Sequence, residues 1–184
     1  HEPSRRQRQM CIRDRFDVVY AKNGKSPVKL AGYHALNSLR MEKGYLHWGH
    51  DIGVEENPFE AGVGFCVNLN KKNPFLGQAA LEEKKKSGLS KRKVNCALSN
   101  NDLLIYHNEP IYFDGKIVGE ISSGMYGFYL DKSLGMGYIS NNDSYSIEEM
   151  MSHQKFEIEV AETKYSAEGS INCFYDPGRE KILV

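Results

Sequence analysis

The chain has 184 residues, 40% of them hydrophobic, which is enough for one large domain or two small ones with an ordinary core. Its 24 basic residues balance its 24 acidic residues, so no overall field directs it to nucleic acid or to an anionic membrane. Its apolar runs fall far short of the roughly 20 residues needed to span a bilayer, so we expect no membrane segment and no nucleic-acid partner.

The first fifteen residues contain five arginines and no apolar periodicity, so we predict that residues 1–15 are unstructured. Three origins compete: a transit peptide, a basic binding arm, or sequence foreign to the protein. Glu2, Asp14 and the lack of an apolar face argue against a transit peptide. Because "RRQRQMCIRDR" resembles a translated sequencing adaptor, we favour the foreign origin.

Two helices are predicted in the first half of the chain. Apolar residues recur with a period close to 3.6, which predicts an amphipathic helix over residues 31–41 that Gly44 ends. A second helix is predicted over residues 76–87, because lysines near its end complement the helix dipole and Gly88 follows as a cap. Before them, "FDVVYAKNG" indicates a helix end or a short strand, and "EENPFEAG" indicates a loop between the helices.

Strands dominate the second half. "VGFCVNL" is predicted as a short strand, and from about residue 89 the chain alternates short strands with turns. Asp114-Gly115 predicts a type I′ hairpin turn. The alternation in "KFEIEV" predicts a half-buried strand, and the glycine-rich "SSGMYG" between strands predicts a turn or bulge. The strand segments are "VNCALS", "EPIYF", "KIVGEISS", "YGFYL", "LGMGYI", "KFEIEVAE" and "TKYSAEGS".

These patterns predict an α+β fold in two parts. Residues 16–88 form a mixed α+β piece, and residues 89–184 form a small antiparallel barrel or sandwich. The four cysteines lie far apart with no CxxC pair, so we predict free thiols and a reducing compartment. They are Cys11, Cys66, Cys96 and Cys173.

The segment "SLRMEKGYLHWGHDI" is rich in groups that could carry chemistry. His47 and His50 have the spacing of a metal pair on a helix, but Gly49 makes a helix doubtful and no third ligand follows, so no metal site is predicted. We predict Trp48 as a core anchor. Arg40 and Glu42 flank the helix end, where we expect an internal ion pair that orients the following loop. With no nucleophile beside a base, no GxGxxG and no P-loop, no catalytic residue is predicted.

Longer stretches carry a resemblance to a known family. "GYHALNSLRMEKGYLHWGHDI" and "NPFEAGVGFCVNLNKKNPFLGQAALEEKKKSGLSKR" resemble the folate-binding half of the sarcosine and dimethylglycine dehydrogenases. That half is similar to the aminomethyltransferase, or T-protein, of the glycine cleavage system. "IYFDGKIVGEISSGMYGFYLDKSLGMGYI" and "FYDPGREKI" resemble the C-terminal barrel and closing tail of this family. The resemblance implies the second part of a folate-binding domain over residues 16–88, followed by the terminal barrel over residues 89–184.

The resemblance also implies a function. A separate amino-terminal flavin domain, outside this sequence, would use FAD to oxidise an N-methyl group and pass electrons to electron-transfer flavoprotein. The one-carbon unit would then meet tetrahydrofolate in the module to which this chain contributes. The resemblance further implies a mitochondrial matrix enzyme of choline degradation, and a chain that is inactive without the rest of the protein.

One residue can be carried over from the family's folate site. Phe65 in "EAGVGFCV" matches an aromatic residue, a tyrosine in dimethylglycine dehydrogenase, that lines the folate site. A phenylalanine can stack on a pterin but cannot donate a phenolic hydrogen bond. The alternative is a core aromatic on a buried strand. Leu36 stands where the T-protein has a folate-holding arginine, so we expect that contact to be absent.

Two other functions stay open. The regulatory subunit of pyruvate dehydrogenase phosphatase resembles the same dehydrogenases, including an "LRxEK" helix and a "PxExG" loop, yet it is an interaction protein. A stand-alone glycine cleavage aminomethyltransferase is the second alternative. "FEAGVGF" and "KGYLHWGHDI" fit the dehydrogenases better, and "SLRMEKGYLHWGHDI" would then be mostly scaffold that shapes one wall of the folate cavity.

Overall fold

The computed structural model describes residues 12–20 and 29–181 of a chain that divides into two compact units, His1–Leu36 and Asn37–Val184. In the first unit, residues 12–20 form helix α1, in which the rings of Phe16 and Tyr20, one turn apart, stack at 5.3 Å. Four residues of the segment predicted to be unstructured are therefore helical. Residues 1–11, with Cys11, lie outside the described residues, and the foreign origin stays a prediction.

Helix α2 (Tyr33–Lys43) confirms the first predicted helix with a shift of two residues. Gly44 ends it in the left-handed conformation, with φ of 69°, as the sequence predicted. The backbone N–H of Gly44 donates to Met41 O at 3.2 Å, and that of Tyr45 donates to Arg40 O at 2.9 Å. These two bonds form a Schellman motif, which satisfies carbonyls that the helix end would leave unpaired.

The side of α2 that packs is largely polar, although the apolar period predicted an apolar contact face. Leu39 is 60% exposed, whereas Ser38 and Glu42 are buried. Ser38 Oγ donates to Tyr126 O at 2.8 Å, and Glu42 Oε1 accepts the backbone N–H groups of residues 129–130 at 2.7 and 3.1 Å. Burial of these polar groups is tolerated because each has a hydrogen-bond partner.

The predicted strand "VGFCVNL" is wrong. Gly64–Cys66 is a single 3₁₀ turn, in which Cys66 and Val67 donate to carbonyls three residues earlier. A Cβ on Gly64 would lie 2.7 Å from Phe59 Cδ1, so glycine here lets the Phe59 ring approach the backbone. The turn is local, and its hydrogen bonds replace those of a strand partner. The second predicted helix is confirmed as α3 (Gln78–Ser87).

Six antiparallel strands then form a closed barrel, which decides between the predicted barrel and sandwich. The order around the barrel is β1-β4-β3-β2-β5-β6, and β6 pairs back to β1. Closure leaves no free sheet edge among these strands. The strands are β1 (Lys91–Leu98), β2 (Pro110–Phe113), β3 (Lys116–Gly127), β4 (Lys132–Ser140), β5 (Phe156–Val160) and β6 (Thr163–Ser170).

The barrel interior is apolar, with Val94 and Cys96 from β1 and Phe156 and Ile158 from β5 fully or almost fully buried. The predicted alternation of "KFEIEV" is confirmed. Helix α4 (Ile147–His153) adds two apolar side chains to this core, and its first turn is held by a capping box between Ser146 and Glu149. The fold class predicted from the sequence, α+β with a terminal antiparallel barrel, is therefore confirmed.

The turns follow the sequence signals except in one place. Asp114 and Gly115 have φ of 48° and 79°, which confirms the type I′ hairpin. The predicted bulge in "SSGMYG" is present, since the register of β3 against β4 shifts between Ile121 and Ser123. The predicted strand "YGFYL" is wrong, because β3 ends at Gly127 and a turn follows it.

Candidate functional site

Asp51 joins three parts of the second unit at one buried carboxylate. Arg40 Nη1 from α2 lies 2.7 Å from Asp51 Oδ2, and the backbone N–H of His47 donates to the same oxygen at 2.8 Å. Ser122 Oγ from β3 donates to Asp51 Oδ1 at 2.6 Å. Tyr138 of β4 donates its hydroxyl to the Asp51 carbonyl at 2.8 Å. Arg40 therefore forms an internal ion pair as expected, but with Asp51, whereas Glu42 accepts backbone N–H groups of residues 129–130.

The electrostatics of Asp51 show that it is held as a carboxylate. Burial alone would raise its pKa, but hydrogen bonds from Ser122, the His47 N–H and Ser123, with the charge of Arg40, outweigh burial and lower the pKa. All of these partners belong to the protein itself. These contacts fix the loop after α2 against the barrel, and the scaffold role that the resemblance implied stays a prediction.

The other side chains of "HWGHDI" include no large residue buried in the core. Trp48 is 68% exposed, so its predicted role in the core is wrong. It forms only an isolated bridge with Ile52, because the loop turns through Gly49 with φ of 81°. The rings of His47 and His50 lie 6.1 Å apart, and no cluster of three or more His, Cys, Asp or Glu side chains within residues 12–20 and 29–181 is suited to a metal ion.

The predicted folate residue Phe65 borders a cavity of about 510 Å³, which we call the Phe65 cavity. It is lined by residues 43–46 after α2, residues 61–65 around the 3₁₀ turn, Lys93 of β1, and part of the segment 171–179. Its volume lies within the range of small-molecule sites, roughly 300 to 1,000 Å³. Four separate stretches of sequence therefore meet around one space.

Phe65 is 75% exposed, which excludes the alternative that it is a core aromatic. The guanidinium carbon of Arg179 lies 5.7 Å from the centre of the Phe65 ring, within the range of a cation–π contact. The ring is thus on the cavity wall with a face available to a planar group. Whether it contacts folate stays a prediction.

Strand β1 contributes Lys93 to the cavity wall. Val94 and Cys96 point into the barrel core, so Lys93 and Asn95 share the opposite face. This outer face is also buried, with Lys93 7% exposed. Burial raises the pKa of the Cys96 thiol to about 12, which keeps it unreactive.

Two buried lysines border the cavity, and they differ in their partners. Lys43 Nζ contacts the backbone and carboxylate of Asp176, with 3.3 Å to Oδ2. Lys93 Nζ donates no hydrogen bond to any of residues 12–20 and 29–181. Burial lowers the pKa of Lys93 to about 8. Lys43 is therefore structural, whereas the amine of Lys93 is unpaired among the described residues.

Asn95, on the same face of β1 as Lys93, carries a buried unsatisfied atom. Its Nδ2 faces three backbone carbonyls of residues 170–172, the nearest at 2.8 Å, which fixes the direction of the amide. Its Oδ1 is buried without a donor among the described residues. A Cβ placed on Gly44 would lie 3.3 Å from this oxygen, 3.5 Å from Lys93 Nζ and 3.2 Å from Cys173 Cβ. The amine, the amide oxygen and Cys173 therefore surround one point.

Lys93, Cys173 and Arg179, which line the cavity, and Asn95 behind Lys93 on the same strand face were not predicted from the sequence. The alternation in "KVNC" was a usable signal. Because Val94 and Cys96 are apolar and face the core, Lys93 and Asn95 must share the opposite face of the strand. The other two residues lie in the irregular segment after β6, where no periodicity predicts direction. Cys66, Cys96 and Cys173 are free thiols, which confirms the prediction for every cysteine within the described residues.

Comparison with known families matches both parts of the chain. The family described as "Glycine cleavage T-protein C-terminal barrel domain" matches residues 91–176, which include the whole barrel. The "GCVT N-terminal domain" matches residues 8–71, which include α2 and Phe65. Within the described residues, no helix is both long enough and apolar enough to cross a membrane.

The relatives include enzymes and a regulatory protein. The chain is 37% identical over 91% of its length to 4-methylaminobutanoate oxidase (formaldehyde-forming) of Paenarthrobacter nicotinovorans, and 30% identical over 91% to mitochondrial sarcosine dehydrogenase of Homo sapiens. It is 31% identical over 90% to the mitochondrial pyruvate dehydrogenase phosphatase regulatory subunit of Mus musculus. It covers 19%, 18% and 20% of these three proteins, about a fifth of each.

A solved structure shares the fold. The glycine cleavage system aminomethyltransferase T from Bartonella henselae matches with a TM-score of 0.69 and 24% identity, over 85% of this chain and 42% of that one. The α+β arrangement with a terminal barrel is therefore shared with an aminomethyltransferase.

Proposed function

We propose that this chain, which belongs to the glycine cleavage T-protein family, is part of the tetrahydrofolate-binding module of a flavoenzyme that demethylates N-methyl amino acids. Two relatives support the reaction class, since one is named as a formaldehyde-forming oxidase and the other as a sarcosine dehydrogenase. Sarcosine or dimethylglycine is the proposed substrate. The mitochondrial names of the animal relatives support a mitochondrial location, and we propose the matrix.

The observation that carries the folate assignment is the position of Phe65. Its exposed ring borders the Phe65 cavity, inside the stretch that matches the N-terminal domain of the family. A pterin is planar and aromatic, so it can stack on this ring, and the Arg179 guanidinium beside it suits a carboxylate of the folate tail. When bound, tetrahydrofolate supplies the nitrogen atoms that accept the one-carbon unit. Phe65 and Arg179 would orient it.

FAD has no counterpart in this sequence, which contains no GxGxxG fingerprint. We propose that the flavin belongs to a domain outside these residues, where it would supply the oxidation of the N-methyl group, and that electron-transfer flavoprotein is the electron acceptor. The chain's own contribution is to bind and orient folate. The chain alone should have no oxidase activity.

The test uses the complete gene product. Its reading frame should contain a GxGxxG fingerprint after a first strand several hundred residues upstream, and the purified protein should show flavin absorbance that bleaches when sarcosine or dimethylglycine is added. A reading frame with no such fingerprint would favour a stand-alone aminomethyltransferase. That outcome would remove the oxidase from the proposal while leaving folate binding intact.

A second candidate function rests on the similarity to the phosphatase regulatory subunit over 90% of the chain. In that case the protein would act by interaction. It would co-purify with a phosphatase and would oxidise neither sarcosine nor dimethylglycine. Flavin content and co-purification, measured on one preparation, separate the two candidates.

A further inference from the structure

The segment that follows β6, residues 171–180, forms part of the wall of the Phe65 cavity, and we call it the C-terminal strap. Residues 171–173, 177 and 179 of the strap line the cavity. Asp176 lies between them in sequence but does not line the cavity, because its side chain is directed to the end of α2. The strap therefore connects α2 to the cavity wall.

Two contacts fix the strap to the end of α2. Lys43 Nζ, on the last residue of α2, donates to the backbone oxygen of Asp176 and lies 3.3 Å from its Oδ2. The two side chains are 6% and 4% exposed. The backbone N–H of Tyr175 donates to Glu42 O at 3.1 Å. Loss of one member of such a buried pair would leave the other charge without a partner, so the contact resists opening.

Beyond this anchor, residues 176–179 form a turn. The backbone N–H of Arg179 donates to Asp176 O at 3.0 Å, which closes the turn. Asp176 and Arg179 both have left-handed backbones, with φ of 45° and 60°. Aspartate adopts this conformation more readily than arginine does. A left-handed arginine persists where the surrounding structure holds it, and here the turn is held at its first residue.

The turn presents the guanidinium of Arg179 to the cavity. Its carbon lies 5.7 Å from the centre of the Phe65 ring. Within residues 12–20 and 29–181, the guanidinium donates no hydrogen bond and forms no ion pair. Its N–H donors are therefore available to an anionic group of a ligand. Because the side chain is exposed, the turn decides where these donors lie.

We propose that Asp176 is a positioning residue for the Phe65 cavity. Its ion pair with Lys43 holds the turn that places the Arg179 guanidinium beside the aromatic ring. Asp176 touches no ligand itself and acts through the arginine. That the ligand is tetrahydrofolate rests on the proposed function. The ion pair then raises the affinity for a ligand that combines a planar ring with a carboxylate, since ring and guanidinium are held together before the ligand binds.

The first test measures hydrogen exchange in the 184-residue chain. Asp176→Asn removes the charge and keeps a residue type that tolerates the left-handed backbone. Asp114→Asn is the matched control, because Asp114 has φ of 48° and lies 3.2 Å from Lys155 but does not line the cavity. The amides of residues 174–181 should exchange at least about fivefold faster in Asp176→Asn and at the unsubstituted rate in Asp114→Asn. Equal exchange in both variants would overturn the proposal.

The second test asks whether Asp176 acts through Arg179. Calorimetry on the complete protein should show that Arg179→Gln weakens tetrahydrofolate binding about tenfold, and Asp176→Asn about three- to tenfold. Because both substitutions affect the same guanidinium, the double variant should bind within about twofold of Arg179→Gln alone. An unchanged affinity of Asp176→Asn, or losses that multiply in the double variant, would overturn the proposal.

The two tests separate this proposal from the proposed function. The exchange measurement needs no ligand, so it decides whether the ion pair holds the turn even if the complete protein binds no tetrahydrofolate, a result that would refute the folate assignment. Lys43→Met removes the other member of the pair and takes the place of Asp176→Asn if that variant does not fold. It should give the same faster exchange, and an unchanged rate would overturn the proposal.

Discussion

Arg40 Nη1 lies 2.7 Å from Asp51 Oδ2, and through this contact the end of α2 is tied to the loop that follows it and to strand β3. The Asp51 side chain is 1% exposed, so its charge is stabilised by protein groups rather than by water. The pair therefore holds one wall of the Phe65 cavity in place. Removal of the pair should lower the free energy of unfolding more than it lowers the affinity for folate.

Asp51→Asn should lower the free energy of unfolding by about 3 kcal/mol, because the buried Arg40 guanidinium loses its counter-charge. Urea unfolding at pH 7 measures the change. Glu55→Gln, at an exposed residue of the same loop, is the control and should stay within about 0.5 kcal/mol of the unsubstituted protein. A loss below about 1 kcal/mol for Asp51→Asn would mean that the pair is not a structural anchor.

The same pair predicts a pH dependence. The pKa of Asp51 is lowered in the folded state from its ordinary value of 3.8, so its contribution to stability is present above that value and is lost as the pH falls through the folded pKa. The stability difference between the protein and Asp51→Asn should therefore shrink below about pH 4. A difference that stays constant down to pH 2 would contradict the lowered pKa.

Lys93→Met should stabilise the chain. Burial lowers the pKa of Lys93 from 10.5 to about 8, so the folded state carries a penalty of about 3 kcal/mol at neutral pH that methionine removes. As the pH rises from about 8 to 10.5, the lysine is neutral in the folded state but still charged in the unfolded state. The penalty therefore disappears, and the stabilities of the unsubstituted protein and of Lys93→Met converge. Thermal unfolding between pH 6.5 and 10.5 follows this convergence.

Lys155→Met, at an exposed lysine, is the control for Lys93→Met and should change stability by less than about 0.5 kcal/mol at every pH. If Lys93→Met instead lowers the free energy of unfolding as much as a cavity-forming core substitution does, the amine has a partner. It would then be a structural lysine like Lys43.

Gly119→Ala should disrupt the barrel. A Cβ at Gly119 would lie 1.8 Å from the backbone oxygen of Tyr138, so β3 and β4 would have to separate. We expect a loss of at least about 3 kcal/mol, seen by circular dichroism and urea unfolding. Gly53→Ala is the control, because the closest atom is the flexible end of Glu56 at 3.5 Å. A tolerated Gly119→Ala would contradict the close approach of these strands.

Phe65→Ala should leave stability nearly unchanged, because the ring is 75% exposed, while weakening tetrahydrofolate binding by the complete protein about three- to tenfold. Phe65→Tyr should be neutral in stability and should bind folate at least as well. Phe128→Ala removes an equally exposed ring that does not line the cavity and serves as the control. Calorimetry that shows equal affinities for all three variants would remove Phe65 from the folate site.

Much of the fold was predictable because it follows from local rules. The residue pair Asp114-Gly115 specifies its turn, the alternation around Phe156 and Ile158 gives the strand its buried face, and Gly44 ends α2 as its lack of a Cβ allows. The family resemblance supplied the barrel. These elements depend on few neighbours, so one sequence is sufficient to predict them.

The failures share a cause, which is tertiary context. "VGFCVNL" has a strand-like composition, but Gly64 lets Phe59 pack onto its backbone and the chain turns instead. Trp48 was predicted in the core because of its size, yet the loop held by Asp51 exposes it to solvent. Lys93 was not predicted to line the cavity because its burial, and the segments that meet it there, become visible only when the chain folds.

The central claim is that this chain belongs to the module that captures one-carbon units from N-methyl amino acids. The most direct measurement is turnover of methyl-¹³C sarcosine or dimethylglycine by the complete protein with tetrahydrofolate, followed by ¹³C NMR of the products. We expect label in methylenetetrahydrofolate, at the expense of free formaldehyde, and less labelled methylenetetrahydrofolate with Phe65→Ala. Absence of oxidation by a preparation that lacks flavin and co-purifies with a phosphatase would contradict it.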